Sequence, residues 1–395
     1  MISHKTLALV LISCLMACKG KAKDAEPGPS SGSATASGGS AAIKTDPTTA
    51  VSWDPELKKL TDDFAACKEK NTNCEAYAKL ETFMEAPAND DAKKKSNFDS
   101  MMACVDAGPT ERVAACAYAA WAFSGYSYEA PKDPSYGRRL LAALRALPTD
   151  EESYAGGSVG QFLASWLKTS DDALRADLAK AMADRKLEKR GRSELLRLCG
   201  DECLARKELF DVVYAVAQDA TEDAEARKMA LGALWRVTDA TNRKAVETLY
   251  IATMGSATES PQLVMAAMQD LAYMASVDGY PTVTAAIHAH AKEQDWVYYG
   301  GSALTTYFQA ADLAIDHKLG VDVLVAVTAD DTISGSYRTS AVRALSYAND
   351  KRADGALGKL AKSKEADVAK AATDGLAERK KRAAEAKKLA AEKKG

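Results

Sequence analysis

Residues 227–239 read RKMALGALWRVTD, and residues 263–275 read LVMAAMQDLAYMA. In each, small residues stand where a helix must approach a neighbour, and large apolar residues follow a turn later. Three further stretches share the pattern: SALTTYFQAADLA from Ser302, RTSAVRALSYAND from Arg338 and DVAKAATDGLAER from Asp367. The five starts lie 36, 39, 36 and 29 residues apart. Shorter helical segments from Arg243, Tyr280, Gly320 and Ala353 alternate with them. A helix pair of this size cannot cover its own apolar face and must hide it against the next pair. The expected fold is all-α, an irregular α-α solenoid over residues 224–377.

This pattern resembles HEAT-like helical repeats, whose units run near this length. The resemblance covers about residues 224–382 and implies stacked helix pairs with equivalent positions side by side along one face. Residues 51–223 are helical in character with less regular spacing. Helix pairs are expected over 55–83 and over 96–107 with 110–123, then helices over 135–147, 159–169 and 174–190. Gly191 opens an expected break to Leu195, and 202–217 is helical again. These segments read as degenerate units of the same stack.

The chain opens MISHKTLALVLISCLMAC. His4 and Lys5 give a positive start, and the apolar run that follows is too short for an ordinary membrane-spanning helix. Residues 1–17 resemble a bacterial lipoprotein signal peptide, with Leu15-Met16-Ala17-Cys18 as its lipobox. The resemblance implies diacylglycerol on the Cys18 thiol, cleavage after Ala17 and an acylated, palmitate-type N-terminus. An ordinary secretory peptide that happens to contain a cysteine is the alternative. Residues 18–50, with GPSSGSATASGGS at their centre, bury too little to offset chain entropy and read as a tether. Lys19 stands where an aspartate favours inner-membrane retention in the enteric members of that family. Its presence implies an outer-membrane protein, lipid-anchored and facing the periplasm.

The formal net charge of −3 over 395 residues argues against nucleic acid as a partner. Positive charge is concentrated in the tail, 378–395, where ERKKRAAEAKKLAAEKK holds eight Lys or Arg against three Glu. It reads as a solvated terminal helix, or as a salt-sensitive handle for an anionic surface such as phospholipid or wall polymer. Beyond the signal and Cys18, six cysteines fall into close sets: Cys67 with Cys74, Cys104 with Cys116, and Cys199 with Cys203. In an exported chain these read as disulfides, with local pairing the simplest connectivity. Only His288, His290 and His317 follow the signal, and no compact CxxC occurs, so neither metal nor cofactor is expected.

Two catalytic patterns fail in context. Gly156-Gly-Ser158-Val-Gly160 fits GxSxG, but no strand precedes it; the glycines suit a loop that opens a helix. Ser165-Trp-Leu-Lys168 fits SxxK without the companion motifs of penicillin-interacting enzymes. The strongest binding candidates are aromatic. Trp296, Tyr298 and Tyr299 precede Gly300-Gly301, which reads as a helix boundary, Tyr307 and Phe308 follow on the next helix, and Tyr273 and Tyr280 lie one unit earlier. These side chains form a groove or fill gaps in an alanine-rich core; Arg338 and Arg343 would sit at its rim, and Trp235 reads as core. The expected function is a membrane-anchored envelope lipoprotein that binds or scaffolds another envelope protein or peptide. One alternative is an envelope hydrolase working through paired carboxylates in the groove. Another is a structural protein touching an anionic wall or membrane.

Overall fold

The computed structural model describes residues 54–67, 74–85, 91–107, 110–126, 133–147, 154–310 and 313–392. The lipobox, Cys18 and the tether lie outside the described residues. Among those described, every regular element is helical, and the α-helices form two rows. The first row is α3 (Asp91–Ala107), α5 (Pro134–Ala146), α7 (Asp172–Ala183), α10 (Lys207–Gln218), α12 (Ala240–Gly255), α14 (Tyr280–Ala289), α16 (His317–Ala329) and α18 (Arg352–Leu360). The second row is α4 (Thr110–Tyr126), α6 (Tyr154–Leu163), α8 (Lys189–Arg197), α11 (Ala224–Leu234), α13 (Pro261–Tyr273), α15 (Gln294–Gln309), α17 (Gly335–Tyr347) and α19 (Ala366–Glu392). Two helices, α1 (Pro55–Ala65) and α2 (Glu75–Glu85), close the N-terminal end against α4, and α9 (Asp201–Leu204) is a one-turn insertion before α10.

Each helix packs on its hairpin partner, and each second-row helix packs on the next one along the row. That arrangement is an α-α solenoid, and it runs on through residue 224, because α11 packs on both α8 and α10. The irregular first half therefore belongs to the same stack as the regular second half. Sequence separation carries the same signature. Arg138 bonds Asp171, Trp166 bonds the Asp133 carbonyl, and Arg175 bonds Glu208, each across 33 residues. A polar contact recurring at one unit's length is what nearest-neighbour stacking produces.

The helix starts follow from local chemistry. Asp54, Asp133 and Ser260 each stand before a proline at the first helical position and accept from backbone N–H groups of the first turn. Asp171, Asp223, Asp239 and Asp316 cap α7, α11, α12 and α16 in the same way. Helix α7 ends at Ala183, and the Glu188 side chain caps α8 by accepting from Gly191 N at 2.6 Å. The chain break thus falls at 184–188, ahead of the expected position. Gly191 lies inside α8 because a side chain there has no room: a Cβ would stand 2.4 Å from Leu144 and 2.7 Å from the Gly156 carbonyl.

Two other glycine groups read as loop or boundary signals also lie within helices. Gly156 to Gly160 sit in α6, where a Cβ on Gly160 would come within 2.4 Å of the Gly191 carbonyl oxygen. Gly300 and Gly301 sit in the middle of α15, and a Cβ on Gly301 would come within 2.6 Å of the Ala341 nitrogen in α17. In both places the missing side chain lets adjacent second-row helices touch backbone to backbone.

Ion pairs made by buried arginines tie the units together. In α8, Arg192 donates through Nε to the Met182 carbonyl at 2.8 Å and through its terminal nitrogens to Glu222 at 2.9 and 2.8 Å. In α11, Arg227 donates to the Ala217 carbonyl at 2.9 Å and to both Glu259 oxygens at 2.5 Å. In α17, Arg338 reaches the Thr328 carbonyl at 3.2 Å and Glu365. All three arginines stand four residues past their helix cap and link the end of one helix to the start of the next unit. The cysteines pair locally: Cys67 with Cys74, Cys104 with Cys116 and Cys199 with Cys203. The first two pairs brace the joins α1–α2 and α3–α4 at the end of the stack.

Candidate binding surface

One side of every second-row helix packs on the first row, so the opposite side faces outward along the whole stack. On α13 the outward positions are Gln262, Met265, Gln269 and Tyr273; on α15 they are Tyr298, Ser302, Thr305 and Gln309. Both stripes follow helical spacing; the α13 stripe carries no charge, and the α15 stripe has Asp295 at its start, one turn before Tyr298. The α17 stripe is Ser336, Ser340, Arg343 and Tyr347, joined to α15 by the Ser340 hydroxyl, which donates to the Tyr298 carbonyl at 2.8 Å.

Two aromatic clusters stand on this surface. Tyr298 is 42% exposed; its ring lies 5.3 Å from Tyr299 and 6.2 Å from Tyr337 on α17, both edge-on. Tyr273 is 48% exposed, with its ring 5.3 Å from half-buried Trp235 at the end of α11. The Arg236 guanidinium lies 5.0 Å from the Trp235 ring. Counted from their caps, Tyr298 is at position five and Tyr273 at position thirteen. Because the second-row helices run parallel, the clusters are offset by roughly 12 Å along the helix axes. Gln269, Ser302 and Thr305 lie between them.

Four of the eight sequence candidates are core. Tyr280 is 1% exposed; its hydroxyl accepts from Gly320 N at 3.1 Å, and burial pushes its phenol up to about 12. Tyr307 is fully buried, with its ring 5.1 Å from Tyr280. Trp296 is buried and stacks on His290 at 4.1 Å. Arg338 is held by Glu365 inside the stack and forms no rim. These side chains fill the gaps that alanine leaves between helices. Tyr273, Tyr298, half-buried Tyr299 and exposed Arg343 do reach the surface. Trp235, read as core, is half-buried in the Tyr273 cluster, and Tyr337, Ser340 and Arg236 were not singled out. Aligning the units by their caps, rather than by their apolar residues, would have found them.

The hydrolase pattern has no elbow. Ser158 is 5% exposed in the interior of α6, and Ser165 and Lys168 are exposed around a short 3-10 turn, Ala164–Trp166. The buried carboxylates each have their own environment. Glu188 caps α8, Arg192 holds Glu222 below the usual carboxylate range, and burial raises Asp270 to about 8. Among the described residues, no group of three metal-ligating side chains comes together, and no helix is long and apolar enough to cross a membrane.

No family model and no curated protein matches this chain. Solved structures do. Kap95p, solved in a study of its binding to RanGDP, superposes with a TM-score of 0.55 at 14% identity, over 82% of this chain and 47% of that one. Kap121p bound to Pho4p is similar at 17% identity with a TM-score of 0.46, over 83% of this chain and 38% of that one. The chain spans less than half the length of either. Both are karyopherins, α-solenoids of HEAT repeats, and the likeness to Kap95p agrees with the two-row stack described above.

Proposed function

We propose that this chain is an outer-membrane lipoprotein, anchored through acylated Cys18, whose solenoid binds a segment of another envelope protein along the second-row face. The observation that carries this reading is the pair of exposed aromatic clusters, Tyr298 with Tyr299 and Tyr337, and Tyr273 with Trp235. Each ring is braced by a neighbour on its own or the next helix, so little rotamer entropy remains to be lost on binding. The residues between them, Gln269, Ser302 and Thr305, are uncharged and cost less to desolvate than charged ones would, and Arg236 and Arg343 flank them. Kap95p, whose fold is similar, binds RanGDP, which gives the same fold class as a platform for a protein partner.

The test is photocrosslinking in native envelopes, with the crosslinker at Tyr298 or Tyr273 and, as a control, at exposed Thr248 on α12. A discrete protein adduct from the second-row positions, absent at Thr248, supports the reading. Equal labelling at all three would reject it. The anchor is tested separately by mass spectrometry of the N-terminal peptide, where Cys18→Ser should abolish the acyl mass and release the chain from the membrane fraction.

A further inference from the structure

We propose that a second site, the cleft between the C-terminal edges of α15 and α17 and the overhanging end of α19, binds an acidic peptide segment of a partner protein. Helix α19 is 27 residues long, about twice α17, so its last turns pass beyond the stack. Arg379 and Arg382 fix its course. Arg379 donates to the Leu345 carbonyl at 3.3 Å, to the Asp350 carbonyl at 3.1 Å and to Asp354 at 2.6 Å. The Arg382 guanidinium lies 4.5 Å from the Tyr347 ring. Cations at the carbonyl end of α17 satisfy its last acceptors and complement its dipole. Part of the basic tail is therefore structural rather than a free handle.

The space left under α19 is about 650 Å³ and is floored by Phe308, His317 and Tyr347, with Ala383 and Ala386 overhead. His317 stacks on Phe308 at 4.8 Å and accepts from Asn349 N through Nδ1 at 3.1 Å, which leaves Nε2–H as a donor. The residues that line the cleft carry a positive excess, although Asp316 and Asp350 lie near His317 and Asp350 pairs with Arg352. The lining holds Arg379, Lys380 and Arg382 against Asp354, and Arg379 already pairs with that acid. Glu378 lies 3.6 Å from Arg382 along the same helix. Lys380 is exposed, and no acid pairs with it among the described residues. A cationic lip over an aromatic and small-residue floor suits a carboxylate next to an apolar side chain. Lys387, exposed further along α19, extends the positive field for a longer acidic segment, while Lys388 lies 3.9 Å from Glu392.

Fluorescence anisotropy of the full chain tests this, using a labelled peptide that alternates Asp or Glu with Phe and Leu, against its Asn/Gln counterpart. Two variants at exposed positions read the site: Lys380→Glu reverses the lip, and Ala386→Trp fills the cleft. The acidic peptide should bind in a salt-sensitive manner, and each variant should weaken it by about tenfold or more. Tyr298→Ala should leave this binding unchanged, which separates the site from the second-row face. Equal affinity for the amide counterpart, or full affinity in both variants, overturns the proposal. Binding of phosphatidylglycerol vesicles but not peptide, abolished by Lys380→Glu, overturns it in favour of a membrane contact. Self-association abolished by Ala386→Trp overturns it in favour of a second copy.

Discussion

Gly160 of α6 meets Gly191 of α8, and Gly301 of α15 meets Ala341 of α17. One packing device serves both contacts, yet the surfaces above them differ. Over α8 the outward residues are Arg190, Ser193 and Arg197, with Arg197 paired to Glu194 at 2.6 Å. Over α15 and α17 they are Tyr298, Ser302, Ser340 and Arg343. The inward residues of a second-row helix set how closely the units stack, while the outward residues are free to vary between units. Fold and binding chemistry are therefore separable within one helix, and substitutions should sort by the side they touch.

The largest effect should come from the ion pair beneath the α6–α8 region. Arg192→Met leaves Glu222, 4% exposed, with only the half-exposed Arg185 at 3.3 Å as its cation and should cost about 3–5 kcal/mol in urea denaturation. The pH dependence has a definite sign. Arg192 holds the folded Glu222 below its unfolded pKa, so the pair's contribution is present above the unfolded value and fades as pH falls through the folded one. In Arg192→Met that acid-side fading should shrink, because only Arg185 and the Asp223 N–H still favour the carboxylate; a melt series from neutral to acid pH reads it. Next in size is Gly160→Ala, where the added methyl meets a carbonyl that cannot swing away; a loss of about 1–3 kcal/mol is expected. Gly232→Ala in α11 is its counterpart. Nothing lies within 4 Å of that Cβ, so the same exchange should stabilise the fold by about 0.5–1 kcal/mol. If both glycines respond alike, close approach is not what selects glycine at Gly160. The smallest stability effect belongs to Tyr298→Ala, within about 0.5 kcal/mol, although it should weaken partner capture at least about tenfold. A large stability loss there would show the ring to be core.

Much of the stack was legible in the chain. The apolar recurrence near Arg227, Leu263, Ser302 and Arg338 located α11, α13, α15 and α17, and the alternating segments located the first-row helices opposite them. Glycine was misread in three places, because a glycine that ends a helix and one that lets two helices touch look identical along a chain. The aromatic candidates divided for a related reason. Tyr307 and Tyr298 are of one residue type on one helix, but Tyr307 faces the first row and Tyr298 faces away from it. Arg338 failed as a rim residue because its acid, Glu365, stands 27 residues later in the next unit.

Helical periodicity, caps and unit length are local properties, so the sequence by itself determined an all-α chain of hairpins that must stack. Local pairing of the cysteines was legible for the same reason. Which face of each helix turns outward, which arginine meets which acid and where α19 lies depend on contacts between units about thirty residues apart. Those contacts form only when neighbouring units have docked, and burial then decides whether an aromatic ring is core or surface.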